Sequence, residues 1–133
     1  MNNGIEFVSF SSRIGALNTE GTEDTYKAPS TYRVLGGSVT IYDADGAVLP
    51  NLAHDEITLS IKFESTDLNL RNAAISAFAL KELLENDNFK EKGILIVGGV
   101  NTTFKARHTS PSGTVNNVAP IDVKLTLMLE KII

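Results

Sequence analysis

The closing segment of the chain, IDVKLTLMLEKII, alternates strictly. Ile121, Val123, Leu125, Leu127 and Leu129 share one parity, while Asp122, Lys124, Thr126, Met128 and Glu130 share the other. Successive side chains of an extended strand point to opposite faces, so this spacing predicts a β-strand with one face in a core. EITLSIKFE repeats the pattern, with Ile57, Leu59, Ile61 and Phe63 inward and Glu56, Thr58, Ser60, Lys62 and Glu64 outward. GIEFVSF, STYRVLGGSVTIYD and TTFKARH read as further, weaker strands. ILIVGGV, residues 94–100, is instead a continuous apolar run, which fits a strand covered on both faces or packed beneath a helix. The pairs Gly36-Gly37 and Gly98-Gly99 interrupt two of these segments and mark bulges or corners of a curved sheet.

One stretch switches to helical spacing, from about Leu68 to Glu85. Leu70, Ala74, Ala77, Phe78, Leu80 and Leu84 form an apolar stripe, widened by Ile75 and Leu83. Arg71, Lys81, Glu82 and Glu85 are left for solvent, and Asp67 or Asn69 is placed to cap the first turn. Asn86, Asp87 and Asn88 then end the helix. Two polar stretches, residues 11–31 and 109–120, are too long to be ordinary connections and read as arms or binding loops. The first carries Ile14, Ala16, Leu17 and Tyr26, which suits an arm lying on its own domain or on a neighbour. The expected fold class is therefore α+β, mainly β. The chain is read as one domain, an antiparallel β-sandwich or small barrel with one packed helix.

Composition narrows the function more than the fold. The 133 residues are 42% hydrophobic and 21% charged, and a chain of this length builds a core without covalent staples. There is no cysteine, so disulfides, thiolate metal sites and cysteine nucleophiles are excluded. The opening MNNGIEFVSFSSR lacks the basic and long apolar regions of a signal peptide. No segment reaches the roughly 18 apolar residues of a membrane helix, so no membrane partner is expected. The expected location is the cytoplasm, or a virion or phage-like particle assembled there. The net charge of −4 disfavours a nucleic-acid surface. Residues 1–67 hold ten acids against four bases, whereas residues 68–133 hold six against eight. Such asymmetry allows copies to attract head to tail, unless the two halves interleave in one sheet and cancel.

Candidate chemistry concentrates in IYDADGAVLPNLAHDE, residues 41–56. A calcium loop needs ligands at alternate positions with glycine sixth. Counting from Asp43, Asp45 fits the third position, but Ala47 is fifth and Gly46 comes too early. The stretch is better explained as a β-hairpin over 38–49, with Asp45-Gly46 at the centre of a type I′ turn and Pro50 ending the second arm. His54, Asp55 and Glu56 form a histidine-carboxylate trio, but no motif couples them to the other histidine, His108. No nucleophile elbow or glycine-rich phosphate loop is present. Lys105, Arg107 and His108 beside Phe104 form a small basic cluster, with Phe104 on the face opposite Lys105. No catalytic residue, cofactor or metal site is assigned.

The order of elements resembles phage tail-tube proteins and the secretion-tube proteins related to them. The resemblance rests on the run of strands, a single helix after EITLSIKFE, a further strand pair and a closing IDVKLTLMLEK strand. It implies two sheets flanked by one helix, copies closing into stacked rings, and loops reaching neighbouring subunits, with no catalytic residues. The expected function is a non-enzymatic structural subunit whose partners are copies of itself and other assembly proteins. Arg13, Ile14, Leu17, Tyr26, Lys27, Lys105 and Arg107 are the expected oligomer contacts. The alternative is a small module capturing a protein or single-stranded nucleic acid through a sheet edge or loop.

Overall fold

Strict alternation in the last strand sets the architecture, because the strand it defines lies inside a sheet with one side turned to the core. A computed structural model describes residues 4–16, 18–43, 45–48, 57–63, 75–86, 88–108 and 120–132; for 57–63, 75–80 and 92 only the backbone is described. In chain order the elements are β1 (Ile5–Ile14), β2 (Asp24–Lys27), β3 (Tyr32–Tyr42), β4 (Ile57–Phe63), β5 (Ile75–Ser76) and α1 (Ala77–Leu84). A 3₁₀ turn over Phe89–Lys92 leads to β6 (Leu95–Ile96), β7 (Asn101–His108) and β8 (Ile121–Lys131).

Two four-stranded sheets form, in the orders β1-β8-β3-β6 and β2-β7-β4-β5, and every pairing is antiparallel. The mainly β, α+β expectation holds. The odd residues of β8 from Ile121 to Leu129 are buried, as alternation required. They meet Phe10 and Ile14 of β1, Val34, Val39 and Ile41 of β3, and Phe104 and Ala106 of β7 in one apolar core. Phe10 sits edge-on to Tyr26 (centroids 6.2 Å apart) and tilted against Phe104 (6.1 Å).

Helix α1 contacts β3 in one sheet and β4 and β5 in the other, so it closes that side of the sandwich and buries Leu84. Gly36 lets it come close. A β-bulge separates Val34 from Gly36, and a Cβ at Gly36 would lie only 2.8 Å from the Leu84 carbonyl.

The helix is shorter than its periodicity predicts. Residues 75 and 76 extend to pair with Leu59 and Thr58 of β4, and helical geometry begins only at Ala77. The expected start near Leu68 lies outside the described residues. The run ILIVGGV is likewise corrected to a two-residue strand. Leu95 and Ile96 pair with Arg33 and Tyr32, after which the Gly99 N–H donates to the Ala28 carbonyl in a turn.

Candidate interaction surface

The first polar stretch lies on its own domain, as strand and bridge in place of a loose arm. Residues 11–14 complete β1, Glu20 bridges to Arg107, and β2 adds to the edge of β7. What makes the segment look loop-like is that side chains replace part of a backbone ladder. Along β1 the even residues face β8 in the hydrogen-bonded register, so the odd residues point their N–H and C=O groups toward the open edge. At Ser11 that N–H donates to the Asp24 carboxylate (2.8 Å), and at Arg13 to the Thr22 hydroxyl (3.0 Å). The Arg13 carbonyl accepts from the Thr22 N–H (3.0 Å). The half of the β1 edge from Ser11 to Arg13 is thus covered from within the chain.

The other half is not. Among the described residues, nothing pairs with the outward backbone groups of Ile5, Phe7 and Ser9. Their side chains lie on the outer face of the first sheet, where Phe7 is 68% and Ile5 49% exposed. Register aligns them in rows across β1, β8 and β3: Ile5, Glu130, Arg33; then Phe7, Met128, Gly36; then Ser9, Thr126, Ser38. Arg33 and Glu130 form an ion pair at 3.6 Å, and the Ser9 and Thr126 hydroxyls are 3.1 Å apart. Between Phe7 and the small residues Gly37, Ser38 and Thr126, with Met128, lies a depression of about 260 Å³. The sequence carried a signal for this patch: Ile5 and Phe7 occupy one parity and Val8 and Phe10 the other, so the start of β1 is apolar on both faces.

Glu6 turns to the inner side at the same end. Its carboxylate accepts the Tyr32 hydroxyl, which pushes the phenol up to about 12, with burial and the negative charge adding to the effect. Tyr26 is raised too, by burial and then by Glu6. A tyrosine whose folded value exceeds its ordinary value near 10 stabilises the fold fully below pH 10, and that stabilisation is lost as pH rises toward 12. Wild-type stability is expected to fall across pH 10–12 in urea melts. Tyr32→Phe should flatten that slope, and an unchanged slope would disprove the assignment.

The expected contact residues scatter. Ile14 is fully buried in the core of its own chain and so is no oligomer contact, while Tyr26 is half-buried and packs on Phe10. Their burial was hidden because the surrounding polar residues bond to backbone. Arg13 is exposed and pairs with Asp122 at 3.5 Å. Lys27 is exposed on β2. Lys105 and Arg107 flank Glu20 on the outside of the second sheet, at 3.2 and 3.9 Å. Leu17, residues 109–119, and His54, Asp55 and Glu56 lie outside the described residues.

The acidic turn is corrected in detail. The Gly46 N–H donates to the Asp43 carbonyl and the Asp43 N–H to the Ala47 carbonyl, and Tyr42 bridges to Val48. Gly46 has φ +85°, whereas Asp45 is not left-handed, so the expected type I′ centre at Asp45-Gly46 is replaced by a turn closed from Gly46 back to Asp43, with glycine in the left-handed position. Asp43 Oδ1 accepts from the Asp45 and Ala47 N–H groups, both at 2.9 Å, which is why an aspartate stands there. His108 is buried, and its Nδ1 accepts the Asn18 N–H at 2.9 Å, tying the returning segment to β7. No group of acids or histidines that could hold a metal forms among the described residues. A cleft of about 940 Å³ runs between α1 and the outer face of β3, but Arg33 and Lys90 there are interleaved with Glu85, Glu91 and Glu130. No helix among the described residues is long and apolar enough to cross a membrane.

Fold and surface together define an antiparallel β-sandwich closed on one side by a short helix, with a half-covered, apolar edge strand. Comparison with known proteins gave no matching family model, no similar curated protein and no similar solved structure.

Proposed function

We propose that the protein is a non-enzymatic structural subunit that assembles with copies of itself, as phage-like tail-tube components do. The observation that carries this reading is the stretch of β1 whose outward backbone groups pair with nothing among the described residues, beside exposed Ile5 and Phe7. Sheet edges invite pairing with another chain, and natural folds blunt them with charge, proline or a covering segment. Among the described residues the covering ends at Ser11, and no charge stands on the exposed row of Ile5, Phe7 and Ser9. Phe104 is buried beneath Lys105 and Arg107, so that basic strand offers no ring for stacking bases.

Light scattering coupled to size-exclusion chromatography should return a multiple of the 14.3 kDa subunit mass, with discrete particles by electron microscopy. A strict monomer at high concentration, without rings or filaments, would remove the proposal.

A further inference from the structure

We infer that the uncovered half of β1 is a self-pairing edge: a second copy adds its own β1 antiparallel, centred on Phe7. The inference rests on the reading of the chain as a self-assembling subunit and names the contact it uses.

Three observations limit what can occupy the edge. Its extent is short, because Asp24 and Thr22 already hold the N–H groups of Ser11 and Arg13, which leaves Ile5, Phe7 and Ser9. A strand centred on Phe7 sets Phe7 opposite its counterpart and Ile5 opposite Ser9, and each such pair exchanges two N–H···O=C bonds. A second β1 therefore matches the available groups in number and length. Next, the charges beside the stretch are acidic, Glu6 on its inner side and Asp24 at its Ser11 end, and repel an acidic strand. The outward row of a second β1 carries only isoleucine, phenylalanine and serine, and its Glu6 falls opposite Val8 rather than opposite Glu6.

The pocket is also on the wrong side for a foreign peptide. Strand-adding peptides are recognised through pockets for alternate side chains. The depression beside Phe7 lies toward β8 and β3, behind the edge, so an added strand would not reach it. Backbone bonds and an aromatic contact are what the edge offers, and an identical strand answers both. Pairing would join the two outer faces into one sheet, bringing Ile5, Phe7 and Met128 of each copy into a single apolar patch. The contact is two-fold and closes at two copies, so any ring or tube uses a further surface.

The absence of cysteine makes the register directly testable. Ile5→Cys and Ser9→Cys are both at exposed sites, and paired Cα atoms would sit about 5.5 Å apart, within disulfide range. Two Ser9 positions would be about 13 Å apart, out of range. Under oxidation, an equimolar mixture of the two variants should form covalent dimers, while either variant alone should not. Phe7→Glu should weaken wild-type self-association by about tenfold or more with unchanged circular dichroism. If the wild type assembles but the mixture does not cross-link, or Ser9→Cys alone cross-links equally well, the pairing is overturned while the structural reading stands. A wild-type chain that stays monomeric overturns both. So does a monomer that binds an unrelated strand-forming peptide at Phe7.

Discussion

Phe104→Ala is expected to destabilise the protein by about 3–5 kcal/mol, the range for truncating a fully buried aromatic ring. Phe104 is wholly inaccessible on β7 and packs at 6.1 Å against Phe10, which reaches across from the other sheet and in turn meets Tyr26. Removing the ring deletes its apolar burial and leaves a void between the sheets, which rigid ladders on both sides cannot fill by small shifts. The melting temperature should fall by roughly 10–20 °C for a domain of this size. Phe104→Leu, which keeps most of the volume, should lose much less. Urea unfolding measures both, and a loss under about 1 kcal/mol for the alanine variant would mean that the sheets do not meet at this ring.

Ser12→Ala should cost about 2–4 kcal/mol, far more than an exposed serine on an edge strand. Its hydroxyl donates to the Thr22 carbonyl at 2.6 Å and accepts from the Ala106 N–H at 3.0 Å. That one oxygen links β1 of the first sheet to β7 of the second, at the side where no ladder joins them. The Gly21 N–H adds a bond to the Ala106 carbonyl at 2.7 Å, and a Cβ at Gly21 would collide with the serine. Without the hydroxyl, a buried donor and an acceptor lose their partner together. Amide exchange at Ala106 should accelerate selectively in the variant, whereas a uniform change would point to a global effect without this seam.

The two residues differ in how visible they are beforehand. Phe104 stands in TTFKARH, where alternation already sets it opposite Lys105. Ser12 stands in SSRIGALNTEGTEDTYK, which reads as a polar arm lying on its own domain or on a neighbour. Which of the two it is stays hidden in the sequence, because the polarity of a residue does not say whether its partner is water or backbone. Ser12, Thr22 and Asp24 each bond to main-chain groups brought near by the fold, and Ile14 and Tyr26 fill the core beneath them. The candidate surface was legible only in part. Apolar residues on both parities at the start of β1 are written in the chain, yet the same pattern would fit a strand covered on both sides.

Local pattern therefore decides what depends on near neighbours. A period of two sets which side of β8, β1 and β7 is buried, and glycine after Asp43 sets a tight turn. The tertiary structure decides what depends on residues distant in sequence. Ile75 and Ser76 leave the helical pattern because β4 presents a ladder to them. The run at 94–100 keeps two strand residues, Leu95 and Ile96 on Arg33 and Tyr32, because the chain turns after Ile96 and the Gly99 N–H bonds to the Ala28 carbonyl instead of to β3. Phe7 stays at the surface because the strand that would cover its edge ends its work at Ser11, and hydrogen bonds spanning 9 to 117 positions are not encoded in spacing.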